Sequence, residues 1–172
     1  MRINRAIHSA AFQSSIIACA LTCGSTPALA LGWKGVTPLH ATQAQVKTRL
    51  GKPSYETADR MEFNRPDGKA VIFFYTEADT KNLSLAPSLA GKVLTVYFYP
   101  AKPRKYDLAA LKGKTRSVGR GATSDGDVMT SYDDGERGVS YHFKKNETSI
   151  WRIVYYAPRA EFARFNLKGS AK

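Results

Sequence analysis

Six segments of this chain alternate or concentrate apolar side chains in the manner of β-strands. In the clearest one, Val139, Tyr141 and Phe143 alternate with the polar residues Ser140 and His142. Because successive side chains of a strand point to opposite faces of the sheet, the first three are expected to face a core. The six predicted strands cover residues 60–64, 69–76, 92–99, 128–132, 138–144 and 149–157.

One helix is well marked at both ends. Thr42 and Gln45 have the spacing of a capping box, in which each side chain satisfies a backbone amide at the position of the other. Gly51 follows as a stop signal, so we predict a helix over Gln43–Leu50. Weaker patterns predict short helices at 108–111 and 159–167, a long loop at 77–91, and polar connections at 102–105 and 113–126.

The order of these elements repeats. A helix followed by three strands occurs over residues 36–100 and again over 104–158, and the segment 96–100 echoes the segment 154–158. Two such units most simply form one antiparallel sheet with short helices packed on one face. We therefore predict an α+β fold built from two α-β-β-β units.

The echo also predicts which side chains of the second strand face the core. Aligning the two units predicts that Val71, Phe73 and Tyr75 face the core. Ile72 and Phe74 are then predicted to lie on the opposite face. Both faces of the long strands then carry apolar groups. The second face is either partly covered by helices and loops or is an aromatic binding surface.

The N-terminus predicts export. Arg2 and Arg5 precede a weakly apolar stretch at 16–21, and Ala28 and Ala30 form a small-x-small cleavage site. Residues 1–30 are therefore predicted to be a cleavable signal peptide and 31–172 a single mature domain, periplasmic or secreted, with a tail at 159–172. The apolar stretch is too short to favour a permanent membrane anchor, so no transmembrane helix is expected in the mature chain. Lipidation at Cys19 is kept as an alternative.

Cleavage changes the chemistry of the working molecule. It would remove Cys19 and Cys23, the two cysteines of the chain, and with them disulfides, thiol nucleophiles and thiolate metal sites. Without Arg2 and Arg5, the 26 basic residues become 24 against 14 acidic ones, a net charge of +10. The charge is concentrated in one segment and in the tail, at Lys102, Arg104, Lys105, Lys112, Lys114, Arg116 and Arg120, then at Arg159, Arg164, Lys168 and Lys172.

A basic exported domain is attracted to anionic envelope polymers or lipid headgroups. A solvated surface that keeps the protein soluble explains the charge equally well. Nucleic acid is a weaker candidate partner, because export removes the usual encounter and the chain carries no recognition motif.

The residue types do not form a catalytic constellation. The mature domain has two histidines, His40 and His142, and the sequence places no nucleophile or orienting carboxylate beside either. A secreted hydrolase using His142 with a nearby hydroxyl or carboxylate is kept as the alternative function. Two separated histidines do not predict zinc, and Asp-Gly turns explain the acidic residues at 125–136 without calcium. No metal and no cofactor is predicted.

The sequence therefore favours a non-catalytic binding domain whose partner is a protein or an anionic envelope component. It would use the aromatic sheet face and the basic segment. Strict alternation along the last strand would place Trp151 and Arg152 on opposite faces. The candidate binding residues are Phe74, Tyr97, Trp151, Arg152, Arg104 and Lys105.

The segments 33–53, 132–141 and 153–158 resemble a group of small exported bacterial proteins of unknown function. The first of them contains Trp33, Gly35, Pro38 and His40 before the helix signal. More distantly, a helix ending in Gly-x-Pro and followed by three strands is similar to the outer-membrane assembly lipoproteins of the SmpA/BamE type, although a good lipobox is missing. The doubled unit is similar to the tandem-repeat β-lactamase-inhibitor proteins. These resemblances imply a non-catalytic binding domain of the cell envelope or exterior.

Overall fold

The structure, a computed structural model, describes residues 31–102, 104–105, 108–111, 113–120, 128–144 and 149–167. Within these residues the helices are α1 (Gln43–Leu50), α2 (Glu77–Asn82) and α3 (Arg159–Phe162), with 3₁₀ turns at Pro87–Leu89, Leu108–Leu111 and Ala163–Phe165. The strands are β1 (Tyr55–Glu56), β2 (Arg60–Arg65), β3 (Gly68–Phe74), β4 (Val93–Pro100), β5 (Arg104–Lys105), β6 (Thr115–Arg120), β7 (Val128–Asp134), β8 (Val139–Lys144) and β9 (Ser149–Tyr156).

All pairings between these strands are antiparallel, which confirms the predicted α+β class. Eight strands lie in the order β1-β2-β3-β4-β9-β8-β7-β6, and β5 pairs with the start of β9. Strands β1–β3 therefore lie on one side of the β4–β9 pair and strands β6–β8 on the other, while β5 lies on the β4 edge of β9. Val96 pairs with Tyr155 and Phe98 with Ile153 at this junction.

The main core lies on the sheet face that α1 covers. Val46 and Leu50 of α1 pack there with Ile72, Val96 and Ile153 of the central strands. The helix begins as predicted, since Thr42 accepts a hydrogen bond from the Gln45 amide and Gln45 accepts one from the Thr42 amide. This double cap satisfies two of the amides that a helix start leaves without intrahelical partners.

A smaller cluster covers one end of the second sheet face. Tyr75, Leu85 and Leu89 form it, and Phe162 and Phe165 from the C-terminal helical turns pack against it. Part of the second face is therefore covered by loops and helices. This is the first of the two explanations that the sequence pattern offered for its apolar residues. The rest of that face carries the side chains described in the next section.

The predicted orientation of β3 was wrong. Ile72 and Phe74 are 0% and 1% exposed in the main core, so Phe74 is not a surface residue. Ile72 lies opposite Val96, Val96 opposite Tyr155, and Tyr155 opposite Val139. Across the sheet, Val139 therefore shares its register position with Ile72 and not with the residue before it. Because side chains alternate with a period of two, this one-residue error in aligning the halves exchanged the two faces.

Three predicted connections contain regular structure, the shortest being 102–105, which contains the two-residue strand β5. The segment 77–91 begins with α2, which has its own capping box between Thr76 and Asp79. That signal is readable in the sequence, as a threonine followed three residues later by an acidic residue. The polar segment 113–126 contains β6, which pairs with β7 along its whole length. Its sequence, Thr-Arg-Ser-Val-Gly-Arg, has too little apolar content to predict a strand.

Each helix in the described part of the chain is too short or too polar to cross a bilayer.

The orientation of β3 predicts a stability difference between two adjacent phenylalanines. Phe74→Ala removes a fully buried ring and should lower the free energy of unfolding by about 3–5 kcal/mol. Phe73→Ala removes a half-buried ring on the second face and should lower the free energy of unfolding clearly less. Urea denaturation of both variants measures this, and equal losses would show that the assignment of faces is incorrect.

Candidate functional site

A β-bulge in β9 shapes the second face of the sheet. In its pairing with β8, Trp151 is an extra residue between Ile150 and Arg152. Ile150 and Ile153 are 3% and 6% exposed in the main core, although they are three residues apart. The bulge makes this spacing possible, and both residues between the two isoleucines project to the second face. Trp151 and Arg152 are therefore neighbours on one face, not on opposite faces as predicted.

Four side chains meet on this face, and we call Tyr97, Tyr99, Trp151 and Arg152 the aromatic–arginine cluster. The guanidinium carbon of Arg152 lies 5.0 Å from the ring centroid of Tyr97 and 4.9 Å from that of Trp151. The ring centroids of Tyr99 and Trp151 are 5.6 Å apart with an interplanar angle of 77°. These are cation–π and edge-to-face aromatic geometries. All four side chains are half-buried, so each keeps surface that a ligand can contact.

Arg152 has hydrogen-bond donors to spare. Its Nη2 donates to Nδ1 of His142 at 3.3 Å, and its Nε is buried without a partner. Contact with ring faces consumes none of the five guanidinium N–H groups. Among the described residues no carboxylate forms an ion pair with Arg152. Within the part of the chain that the structure describes, the positive charge of the cluster thus has no ion-pair partner.

His142 is a neutral acceptor in this arrangement. Burial, followed by the neighbouring Arg152 charge, lowers the pKa of His142 from 6.5 to about 4. A guanidinium only donates, so Nδ1 must be unprotonated and the ring proton must lie on Nε2. The nearby Asp133, which a catalytic imidazole would need as an orienting group, accepts a hydrogen bond from the Tyr156 hydroxyl. A general base works best with a pKa near the operating pH, so these features do not favour the hydrolase alternative.

A groove of about 410 Å³ adjoins the cluster between the sheet and α3. Tyr97 belongs to both, and the other lining side chains are mainly apolar or aromatic, among them Tyr75, Leu94, Tyr156 and Phe162. Burial and the bond to Asp133 raise the pKa of Tyr156 above its usual value, so its hydroxyl stays a donor. Burial raises the pKa of Tyr75 to about 12. Both phenols are therefore neutral hydrogen-bonding groups near neutral pH.

The charged residues of β2 and β3 on this face pair with one another around Glu62. Glu62 on β2 is 7% exposed and forms ion pairs with Arg60 and with Lys69, the latter at 2.6 Å. Arg60 also lies over the rings of Tyr55 and Phe73. Because Glu62 is matched by two cations, this part of the face does not offer Arg152 a carboxylate.

A second cavity, of about 570 Å³, lies beyond Arg159 and contains the acidic residues of the β7–β8 turn. Lys114 pairs with Asp134 at 2.7 Å inside it. Burial opposes ionisation of Asp134, but Lys114 and the Arg137 amide outweigh it and hold the pKa of Asp134 below its usual range. Charges of both signs therefore neutralise one another here. In the described part of the chain, His, Cys, Asp and Glu side chains do not gather in groups of three or more that suit a metal ion. Asp125 and Asp127 lie outside it.

The structure divides the residues that the sequence proposed for binding. Tyr97, Trp151 and Arg152 come together in the cluster, whereas Phe74 is buried in the core. Arg104 lies over the ring of Phe98, which faces the core side of the sheet. Lys105 is exposed and pairs with Ser149 at the start of β9, outside the cluster. We therefore leave Arg104 and Lys105 out of the candidate site.

Two residues of the surface were missed in the sequence. Tyr99 follows Tyr97 by two positions and so shares its face, which the alternation rule was sufficient to show. Tyr156 lines the groove and donates to Asp133, and nothing in the sequence pattern indicates that pairing. Of the basic segment, Lys112 and the tail residues Lys168 and Lys172 lie outside the described residues.

Comparison with known proteins gives little beyond this geometry. No family model matches the chain, and no curated protein matches it at a significant level. Among solved structures, it is similar to a DUF4309 family protein (YjgB) from Bacillus subtilis, with 11% identity and a TM-score of 0.49. That similarity covers 75% of this chain and 88% of the other. At this level it carries no inference about function.

The pairing of His142 with Arg152 predicts a coupled titration. Because the unfolded imidazole binds a proton at higher pH than the folded one, acidification from about pH 6.5 to about pH 4 should destabilise the native state. Arg152→Ala removes a nearby positive charge and should raise the pKa of His142. NMR titration of the imidazole in both proteins measures this. A pKa unchanged by the substitution would contradict the assigned contact.

Proposed function

We propose that the protein is an exported, non-catalytic binding domain of the bacterial cell envelope or exterior. Its binding surface is the aromatic–arginine cluster, and its partner is an anionic envelope component. The observation that carries the proposal is Arg152, held between Tyr97 and Trp151 without a carboxylate partner among the described residues.

The composition of the cluster supports a binding role. Trp, Tyr and Arg are the residues that most often dominate the energetics of protein interfaces. The side chains are also held in place before a ligand arrives, since Arg152 contacts two rings and one imidazole. A pre-ordered surface binds with less loss of conformational entropy than a flexible one.

Export is supported by the N-terminal sequence. Arg2, Arg5 and the Ala28–Ala30 site form a complete signal pattern. Leu31 donates its backbone N–H to Arg137 at 3.1 Å and packs against the main core. Cleavage after Ala30 would therefore retain this contact at the new N-terminus. The net charge of +10 after cleavage suits an anionic partner outside the cytoplasm.

Export can be tested by the mass of the processed protein. When the full chain is expressed in a bacterium, the exported product should begin at Leu31 and contain no cysteine. Cys19→Ser should change the mass of the precursor and leave the mass of the processed product unchanged. A product beginning with a lipid-modified Cys19 would replace simple cleavage by lipoprotein processing, and an unprocessed chain retained in the cytoplasm would refute export.

Binding can be tested with two arginines on opposite sides of the sheet. The mature domain should sediment with the envelope fraction of the bacterium that produces it. Arg152→Ala should weaken this binding about tenfold or more, because truncating a residue central to an interface costs about 2 kcal/mol or more. Arg104→Ala removes the same charge from the other side and should have little effect.

The same pair of variants distinguishes binding by the cluster from binding by net charge or by another surface. Equal weakening by both substitutions would show that net charge, not the cluster, drives the association. Strong binding by Arg152→Ala would refute the cluster as the binding surface. Circular dichroism and urea denaturation of each variant establish that it is folded before its binding is compared.

A further inference from the structure

We propose that the aromatic–arginine cluster binds an acidic polysaccharide whose sugar rings carry carboxylates. A carboxylate would lie on Arg152, and sugar rings would pack against Trp151 and Tyr97. This inference rests on the proposed function and adds to it the chemical class of the ligand.

The need for an anion follows from the unused donors of Arg152. One Nη2 donor goes to His142 and the buried Nε is out of reach, so the donors left for a ligand are the remaining Nη N–H groups. An arginine fork matches the two oxygens of a carboxylate, and such charge-assisted pairs are about twice as strong as neutral hydrogen bonds. His142 is neutral above about pH 4 and so adds no second cation, which fits recognition of one anionic group at this point.

The position of the cluster argues against a peptide that binds by adding a strand to the sheet. Peptides that bind sheets commonly add a strand to an exposed edge and gain backbone hydrogen bonds there. The cluster instead lies over β4 and β9, which are interior strands with neighbours on both sides. Most of their backbone groups already pair within the sheet, although Trp151 is the extra residue of the bulge and the β4–β9 pairs end at Phe98 and Ile153. Recognition on this face must therefore use side-chain surfaces, which here are aromatic rings and a guanidinium.

Sugar rings suit such a surface. A pyranose ring has a flat face of C–H groups that packs on an aromatic ring, and in a uronic acid the carboxylate is attached to that ring. Arg152 covers part of both rings, at about 5 Å from their centroids, so a sugar would pack on the ring surface that stays exposed beside it and bring its carboxylate toward the guanidinium. The adjoining groove of about 410 Å³ continues from Tyr97 and offers room for the next sugar unit.

A bilayer surface fits the cluster less well. The cluster side chains are half-buried beside a groove, a concave shape that one polymer strand can enter and a flat membrane cannot. The exposed leucines Leu83 and Leu167 lie elsewhere, beside each other at the end of α2, where the Leu167 amide donates to Ser84. Insertion of apolar anchors into lipid would thus use a different part of the protein.

Calorimetric titration of the mature domain with three soluble probes tests the proposal. The probes are a galacturonate hexamer, a neutral glucose hexamer of the same length, and poly-glutamate, which carries carboxylates without sugar rings. We expect the uronate hexamer to bind at least tenfold more tightly than either of the others. Arg152→Ala and Trp151→Ala should each weaken it about tenfold, while Arg104→Ala should not.

The comparison of the three probes uses the unsubstituted domain, so it does not depend on the folding of any variant. Equal binding of the neutral hexamer would overturn the role of the carboxylate, and equal binding of poly-glutamate would overturn the role of the sugar ring. If no probe binds, yet Arg152→Ala still abolishes association with the envelope fraction, the polysaccharide inference fails and the proposed function stands. If Arg152→Ala changes neither the binding of the uronate hexamer nor the association with the envelope fraction, both the polysaccharide inference and the proposed function fail.

Discussion

The candidate site depends on one constraint, which is that pairs of core residues three positions apart must lie on the same side of the sheet. Ile150 and Ile153 are such a pair on β9, and Val93 and Val96 are another on β4. A regular strand alternates with a period of two and cannot bury both members of a pair separated by three. Each strand solves this with a bulge, where the pairing register shifts by one residue.

The two bulges together produce the second face. On β9 the extra residue brings Trp151 beside Arg152, and on β4 it brings Leu94 and Thr95 to the wall of the groove. Tyr97 lies between these two places and contacts both. The apolar spacing that stabilises the core on one face is therefore the cause of the concave aromatic surface on the other.

Much of the fold was predictable because its signals are local. The capping box at Thr42 and Gln45 and the stop at Gly51 predicted α1 to the residue, and the aromatic runs predicted the central strands. The bulges were not predictable, since a strand with two apolar faces gives alternation no unique solution. The same ambiguity put Phe74 on the wrong face and separated Trp151 from Arg152. Tyr97, Trp151 and Arg152 were nevertheless among the predicted binding residues, and the structure brings these three side chains together on one face.

The electrostatics of the face separate residues that stabilise the fold from residues that are free to bind. A buried carboxylate left unpaired would be strongly destabilising, so Glu62 with its two cations is best understood as structural. Arg152 is the opposite case, since its buried Nε has no acceptor and an unsatisfied polar group costs about 1–3 kcal/mol. The two ring contacts and the bond to His142 offset part of that cost and also fix the guanidinium in one orientation. Because Nε has no accessible surface, a ligand carboxylate would bind the Nη groups, and it would do so without reordering the side chain. This arginine, and not the more numerous exposed lysines, is therefore the centre of the proposed site.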